Sequence, residues 1–116
     1  MRKGAILVIE KDPLSAALIV GQLEELGYEI EGPAHTFEDA VWLATHTPIA
    51  GALLDIAFGD GAQATLVANA LIKRTIPFVF LAGAEGAAEH RFREVPVLSK
   101  PVTLTRLEQA MLDILR

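Results

Sequence analysis

Three short apolar runs in this 116-residue chain each end on a residue that can do chemistry. Ala5 to Ile9 is followed by Glu10, Lys11 and Asp12, Ile49 to Leu54 by Asp55, and Val95 to Ser99 by Lys100. If these runs are parallel strands, their C-terminal ends gather carboxylates and an ammonium at one rim, where open α/β sheets place their sites. A carboxylate that ends a buried strand has a reason to be there that packing does not supply, although Asp55 can also serve as a cap in the loop that follows. An aspartate accepts a phosphoryl group if Mg²⁺ neutralises the incoming charge, because that transition state is stabilised mainly by positioning and electrostatics. Mg²⁺ needs only one or two carboxylates plus carbonyl, water and phosphate oxygens. Glu10, Asp55 and the backbone carbonyl of Ala57 form a candidate set. Lys100 would then pair with a phosphoryl oxygen, with Pro101 fixing the loop that aims it. Lys11 stands where a further magnesium-binding carboxylate is expected. Its ammonium, close to Glu10 and Asp55, would favour their ionised forms, partly replace the ion and weaken the metal site. The alternative is that Lys11 points into solvent.

The elements that must hold these residues follow from periodicity. Ala5 to Ile9 is too short for a helix and reads as a strand covered on both faces. Asp12 and Pro13 start a helix, one as cap and the other as first helical residue. Ala16, Ile19, Val20, Leu23 and Leu26 give it an apolar stripe, and Gly27 stops it. Tyr28 to Gly32 fits an edge strand that Pro33 breaks. Thr36 caps a second helix with Phe37, Ala40, Val41 and Ala44 inward and Trp42 on the polar side. After the third strand and the loop Gly59 to Gly61, a helix runs from about Ala62 to Arg74. Ile76 to Leu81 is the fourth strand. Gly83 to Phe92 has room for a short, weakly anchored helix, where mobility is expected. Val95 to Leu98 is the fifth strand, and Leu104, Leu107, Met111, Ile114 and Leu115 recur at helical spacing behind a Thr103 cap. Five strands alternating with five helices predict one α/β domain, residues 1–116, built on a doubly wound, flavodoxin-like parallel sheet of order 2-1-3-4-5.

Composition narrows the class. An apolar fraction of 52% with 22% charged residues argues for a filled core rather than a disordered chain. A net charge of -5 without a Lys/Arg cluster disfavours a nucleic-acid partner. With no cysteine, thiolate metal sites and disulfides are excluded. The absence of a long apolar segment or a signal-peptide pattern leads to the expectation of a cytoplasmic protein without a membrane partner.

The run Ile6 to Pro13 (ILVIEKDP), Leu54 to Gly61 (LDIAFGDG), Phe78 to Gly83 (FVFLAG) and Val97 to Pro101 (VLSKP) resembles the response-regulator receiver domains of bacterial two-component signalling. The similarity runs the length of the chain in order. It implies that Asp55 is the phosphoacceptor, that Glu10 belongs to the acidic pair and that Lys100 contacts the phosphate. It also implies Mg²⁺ as cofactor and, as partner, a sensor histidine kinase or phosphotransfer protein. Such a module modifies itself and at most dephosphorylates itself, without turning over a separate substrate, so it is not expected to be an enzyme in the usual sense. Three positions depart from the family pattern. Lys11 replaces the second metal-binding acid, Ala82 a Ser or Thr that reaches the phosphoryl group, and Val97 an aromatic that many members swing inward.

Those departures keep a second reading open, a pseudo-receiver that acts as a phosphorylation-independent interaction module. Any switching would then have to use other elements, the segment Gly83 to Phe92 first among them. A flavin site is disfavoured because Glu10 and Asp12 repel phosphate after the first strand, and a haloacid-dehalogenase-type phosphatase wants an aspartate where Ala57 stands. His35, His46 and His90 have no second ligand at metal spacing and read as surface residues. Trp42 reads as packing along its helix rather than a contact patch. The resemblance implies that a homodimer, if formed, uses the family's usual face of fourth helix, fifth strand and last helix, where Arg106, Glu108, Gln109 and Asp113 could supply polar contacts.

Overall fold

The computed structural model describes residues 4–83 and 90–115. Five strands, β1 (Ala5–Ile9), β2 (Glu29–Ala34), β3 (Gly51–Asp55), β4 (Phe78–Ala82) and β5 (Val97–Ser99), form one parallel sheet in the order β2-β1-β3-β4-β5. Four α-helices are present among the described residues: α1 (Pro13–Glu25), α2 (Phe37–His46), α3 (Ala62–Lys73) and α4 (Leu104–Ile114). Four of the five expected helices are thus seen among the described residues. Residues 84–89 of the expected helix Gly83 to Phe92 lie outside the described residues, and its far end is a 3-10 turn, His90–Phe92.

Side chains alternate through the sheet and divide the core in two. Leu7, Ile9, Ala52, Leu54, Phe78 and Phe80 pack against Ala40 and Ala44 of α2 and Val67, Ala68 and Leu71 of α3. Ile6, Val8, Leu53, Val79, Leu81 and Leu98 face Ile19 and Leu23 of α1 and Leu107 and Met111 of α4. β1, β3 and β4 are therefore apolar on both faces, which is why they read as unbroken runs rather than alternating ones.

Local chemistry sets the helix starts. Asp12 Oδ2 accepts from Ser15 N at 3.2 Å with Pro13 as first residue of α1, Thr36 Oγ1 accepts from Asp39 N, and Thr103 Oγ1 accepts from Arg106 N. In α1 the inward stripe narrows to Ala16, Ile19 and Leu23, with Val20 and Leu26 packed at its border.

β2 is a correction in detail. It is an edge strand, but Pro33 lies inside it instead of ending it. Leu7 pairs with Glu31 and Ile9 with Ala34, so three steps of β2 oppose two of β1 and Gly32–Pro33 absorbs the extra residue. A bulge on an edge strand tolerates the missing proline donor. Gly32 is required there: its φ is +88°, and a Cβ would lie 2.8 Å from Ala34 N.

Candidate functional site

Ile9 and Leu54 are register partners, so the residues that follow them, Glu10 and Asp55, emerge abreast from adjacent strands. Lys100 arrives from farther away. Ser99 pairs with Ala82, and Lys100 N donates to Ala82 O at 2.8 Å, which places Lys100 two strands from Asp55 with the end of β4 between them. Its long side chain closes that gap. Lys100 Nζ donates to Asp55 Oδ2 at 3.0 Å and also to Glu10 Oε1, so one ammonium bridges both carboxylates.

Each carboxylate has further donors. Glu10 is 1% exposed; its Oε1 also accepts from Ser15 Oγ at 2.9 Å and its Oε2 from Asp12 N at 3.2 Å. Its backbone is pinned as well, with Glu10 N donating to Ala34 O and the Nδ1–H of His35 donating to Glu10 O at 2.8 Å. Asp55 is buried, and its Oδ1 accepts from Ala57 N at 2.9 Å. Gly59, Asp60 and Gly61, all at positive φ, then carry the loop away into α3.

Burial works against the ionised form of Asp55. The Ala57 N–H and the Lys100 ammonium, both hydrogen-bonded to it, outweigh that cost, and its carboxyl is held below the ordinary range. Burial likewise disfavours the charged Lys100, yet its hydrogen bonds to Glu10 and Asp55 raise it above the usual lysine value. The site thus keeps an ionised aspartate in a pocket that has not yet lost its counter-charge.

The sequence-derived set Glu10, Asp55 and Lys100 converges, while Lys11 does not join it. Lys11 is exposed and forms no ion pair among the described residues, so the ammonium between the two carboxylates is that of Lys100. Asp12 is occupied as the α1 cap. Ala57 is exposed beside Asp55. Ala82 is buried at the end of β4, and Val97 is 50% exposed at the start of β5. Ser15 and His35 are contacts that sequence reading did not assign. Their signal is slight: a hydroxyl in the first turn after the Asp12 cap, and a histidine just past an edge strand. Trp42 is exposed and stacks on His46 with ring centroids 4.9 Å apart, while His90 opens the short turn after the undescribed segment.

No group of three or more His, Asp or Glu residues among the described ones can hold a metal. Two abreast carboxylates nevertheless meet what Mg²⁺ asks of a protein, because water, carbonyl and phosphate oxygens complete its shell.

No family model matches the chain. Its structure is similar to that of SdrG from Sphingomonas melonis Fr1, with 35% identity and a TM-score of 0.86 over 97% of this chain and 96% of that one. The BeF3-activated conformation of SdrG from Pseudomonas melonis Fr1 matches at 36% identity and a TM-score of 0.81, over the same shares of the two chains. The N-terminal domain of a response regulator/sensory box/GGDEF 3-domain protein from Carboxydothermus hydrogenoformans is 29% identical, with a TM-score of 0.80 over 97% of this chain and 94% of that one. Among curated proteins, the phyllosphere-induced regulator PhyR of Methylorubrum extorquens (strain AM1) is 35% identical over 78 residues, which are 66% of this chain and 29% of PhyR. The chain therefore spans less than a third of the length of that relative. A 2-1-3-4-5 sheet with Glu10, Asp55 and Lys100 at its C-terminal rim, together with these likenesses, makes this chain a member of the response-regulator receiver-domain family of two-component signalling.

Proposed function

We propose that this receiver accepts a phosphoryl group on Asp55 from a phosphohistidine of a partner histidine kinase or phosphotransfer protein, or from a small acyl phosphate. The observation that carries the reading is the Lys100 ammonium seated between Asp55 and Glu10 at the end of the central strand. In the transfer, a carboxylate oxygen of Asp55 forms a bond to phosphorus as the donor's P–N bond breaks, and the electron pair leaves on the imidazole nitrogen, which takes up a proton. Lys100 pairs with an equatorial phosphoryl oxygen, while the Ala57 N–H holds the carboxylate from the other side. Glu10, Asp55 and the Ala57 carbonyl are the residues that would hold Mg²⁺, which when bound neutralises charge on the phosphoryl group. The chain does not turn over a separate substrate.

The donor's approach is set by α1. Leu14 and Leu18, 70% and 64% exposed, border a cleft of about 480 Å³ that Ser15, Lys100 and Pro101 also line. An apolar helical surface carrying the phosphohistidine fits against these leucines, since contiguous exposed aliphatics beside a reactive rim are a docking signature.

A pseudo-receiver is the second reading, and Ala82 favours it. A buried methyl at the end of β4 supplies no hydrogen bond to an added phosphoryl group. The two readings separate on incubation with acetyl phosphate or beryllofluoride at graded Mg²⁺. An adduct seen by intact mass that disappears in Asp55→Asn supports the receiver; an inert wild type at high Mg²⁺ supports the pseudo-receiver.

A further inference from the structure

We propose that Ser15 is a positioning residue of the acceptor site, its hydroxyl holding Glu10 Oε1 in place while the Lys100 ammonium leaves that oxygen for the group that enters at Asp55. This rests on the acceptor reading of Asp55. Glu10 Oε1 has two lone pairs and two donors, Ser15 Oγ at 2.9 Å and Lys100 Nζ. The Lys100 ammonium gives one N–H to Glu10 and another to Asp55 at 3.0 Å, so a cation entering between the two carboxylates repels it from Glu10 Oε1 and leaves its remaining donors for the phosphoryl group. When it moves, one lone pair of Oε1 is freed for a cation and the other remains held. Without the hydroxyl, the freed oxygen of a residue only 1% exposed keeps no donor, and the carboxylate is secured through Oε2 and Asp12 N alone.

The position of Ser15 is itself over-determined, which is what a positioning residue needs. Its N–H is bonded to the Asp12 cap, and its place in the first turn of α1 is fixed by Ala16 N donating to Asp12 O at 3.0 Å. One cap therefore orients both the helix and the hydroxyl that orients Glu10. Outer hydrogen bonds to metal-binding carboxylates commonly change metal affinity by an order of magnitude or more.

The test compares wild type with Ser15→Val and Ser15→Thr, which have nearly the same shape and differ in the hydroxyl. Mg²⁺ alone is titrated calorimetrically into each unmodified protein, and thermal melting is recorded in parallel. Ser15→Val is expected to bind Mg²⁺ roughly tenfold more weakly, with Ser15→Thr within about twofold of wild type in affinity and melting above Ser15→Val because it keeps the hydrogen bond to Glu10. Equal Mg²⁺ affinity in Ser15→Val and wild type overturns the inference and leaves the acceptor reading standing. If wild type binds no Mg²⁺ and takes no adduct from acetyl phosphate, the acceptor reading falls and this inference falls with it. A melting loss shared by both variants, without a difference in Mg²⁺ affinity between them, assigns Ser15 to the helix cap alone and also overturns it.

Discussion

The Lys100 ammonium lies 3.0 Å from Asp55 Oδ2, reaching across the end of β4 from a strand that is not adjacent to the one carrying Asp55. The same ammonium bonds Glu10, so removing it leaves two neighbouring carboxylates without a cation. Asp55 titrates below its ordinary range when folded, so its stabilisation is complete above the unfolded carboxylate value and lost as pH falls through the folded one. Lys100 titrates above its ordinary range, so its contribution is complete below the unfolded lysine value and lost as pH rises through the folded one. Wild-type stability from this cluster should therefore be flat over roughly pH 5 to 9. Lys100→Met should cost about 1–2 kcal/mol at pH 7, less than a fully buried pair because the lysine side chain is 26% exposed. Its melting temperature should climb as pH falls from 8 to 5, because the uncompensated carboxylates bind protons more readily when folded. Melting curves against pH check this; parallel profiles for the two proteins would contradict it.

Lys11 stands next to the site without entering it. Because its side chain is exposed, Lys11→Asp should add a carboxylate at the rim with little effect on folding. Mg²⁺ affinity should rise about tenfold, equivalent to about 1.4 kcal/mol. Calorimetric titration decides it, and unchanged affinity would show that position 11 cannot reach the ion.

Ala82→Ser places a hydroxyl in a residue that is 4% exposed. Without an acceptor it should lower stability by about 1–3 kcal/mol. With beryllofluoride and Mg²⁺ present, the added fluoride offers that acceptor, so the melting gap between variant and wild type should narrow. A constant gap would mean that the β4 end does not face the modified aspartate.

Leu18→Gln changes an exposed position one turn along α1 from the site and should leave stability within about 0.5 kcal/mol of wild type. Transfer from a phosphohistidine donor should slow several-fold, while labelling by acetyl phosphate stays as it was. Equal slowing with both donors would place the defect in the chemistry and not in docking.

Much of this was legible in the residues. The unbroken runs Ala5–Ile9 and Ile49–Leu54 announce strands buried on both faces, and the charged residues that follow them announce a rim. The caps Asp12, Thr36 and Thr103 were readable because capping is decided within three residues. Pro33 misled because a proline's missing donor forbids a central strand and not a bulged edge, and edge position is a property of the sheet.

What the sequence by itself determined is the set of strands, the two-sided burial of β1, β3 and β4 and the presence of Glu10, Asp55 and Lys100 at strand ends, since each depends on local pattern. Which ammonium serves the carboxylates was decided only in three dimensions. Lys11, next in the chain to Glu10, is exposed beyond the strand end, while Lys100, 90 residues from Glu10, bonds it over the small Ala82. Ser15 joined the site for the same reason: the turn from β1 into α1 folds its hydroxyl back onto Glu10, a contact between positions five apart that neither strand nor helix periodicity encodes.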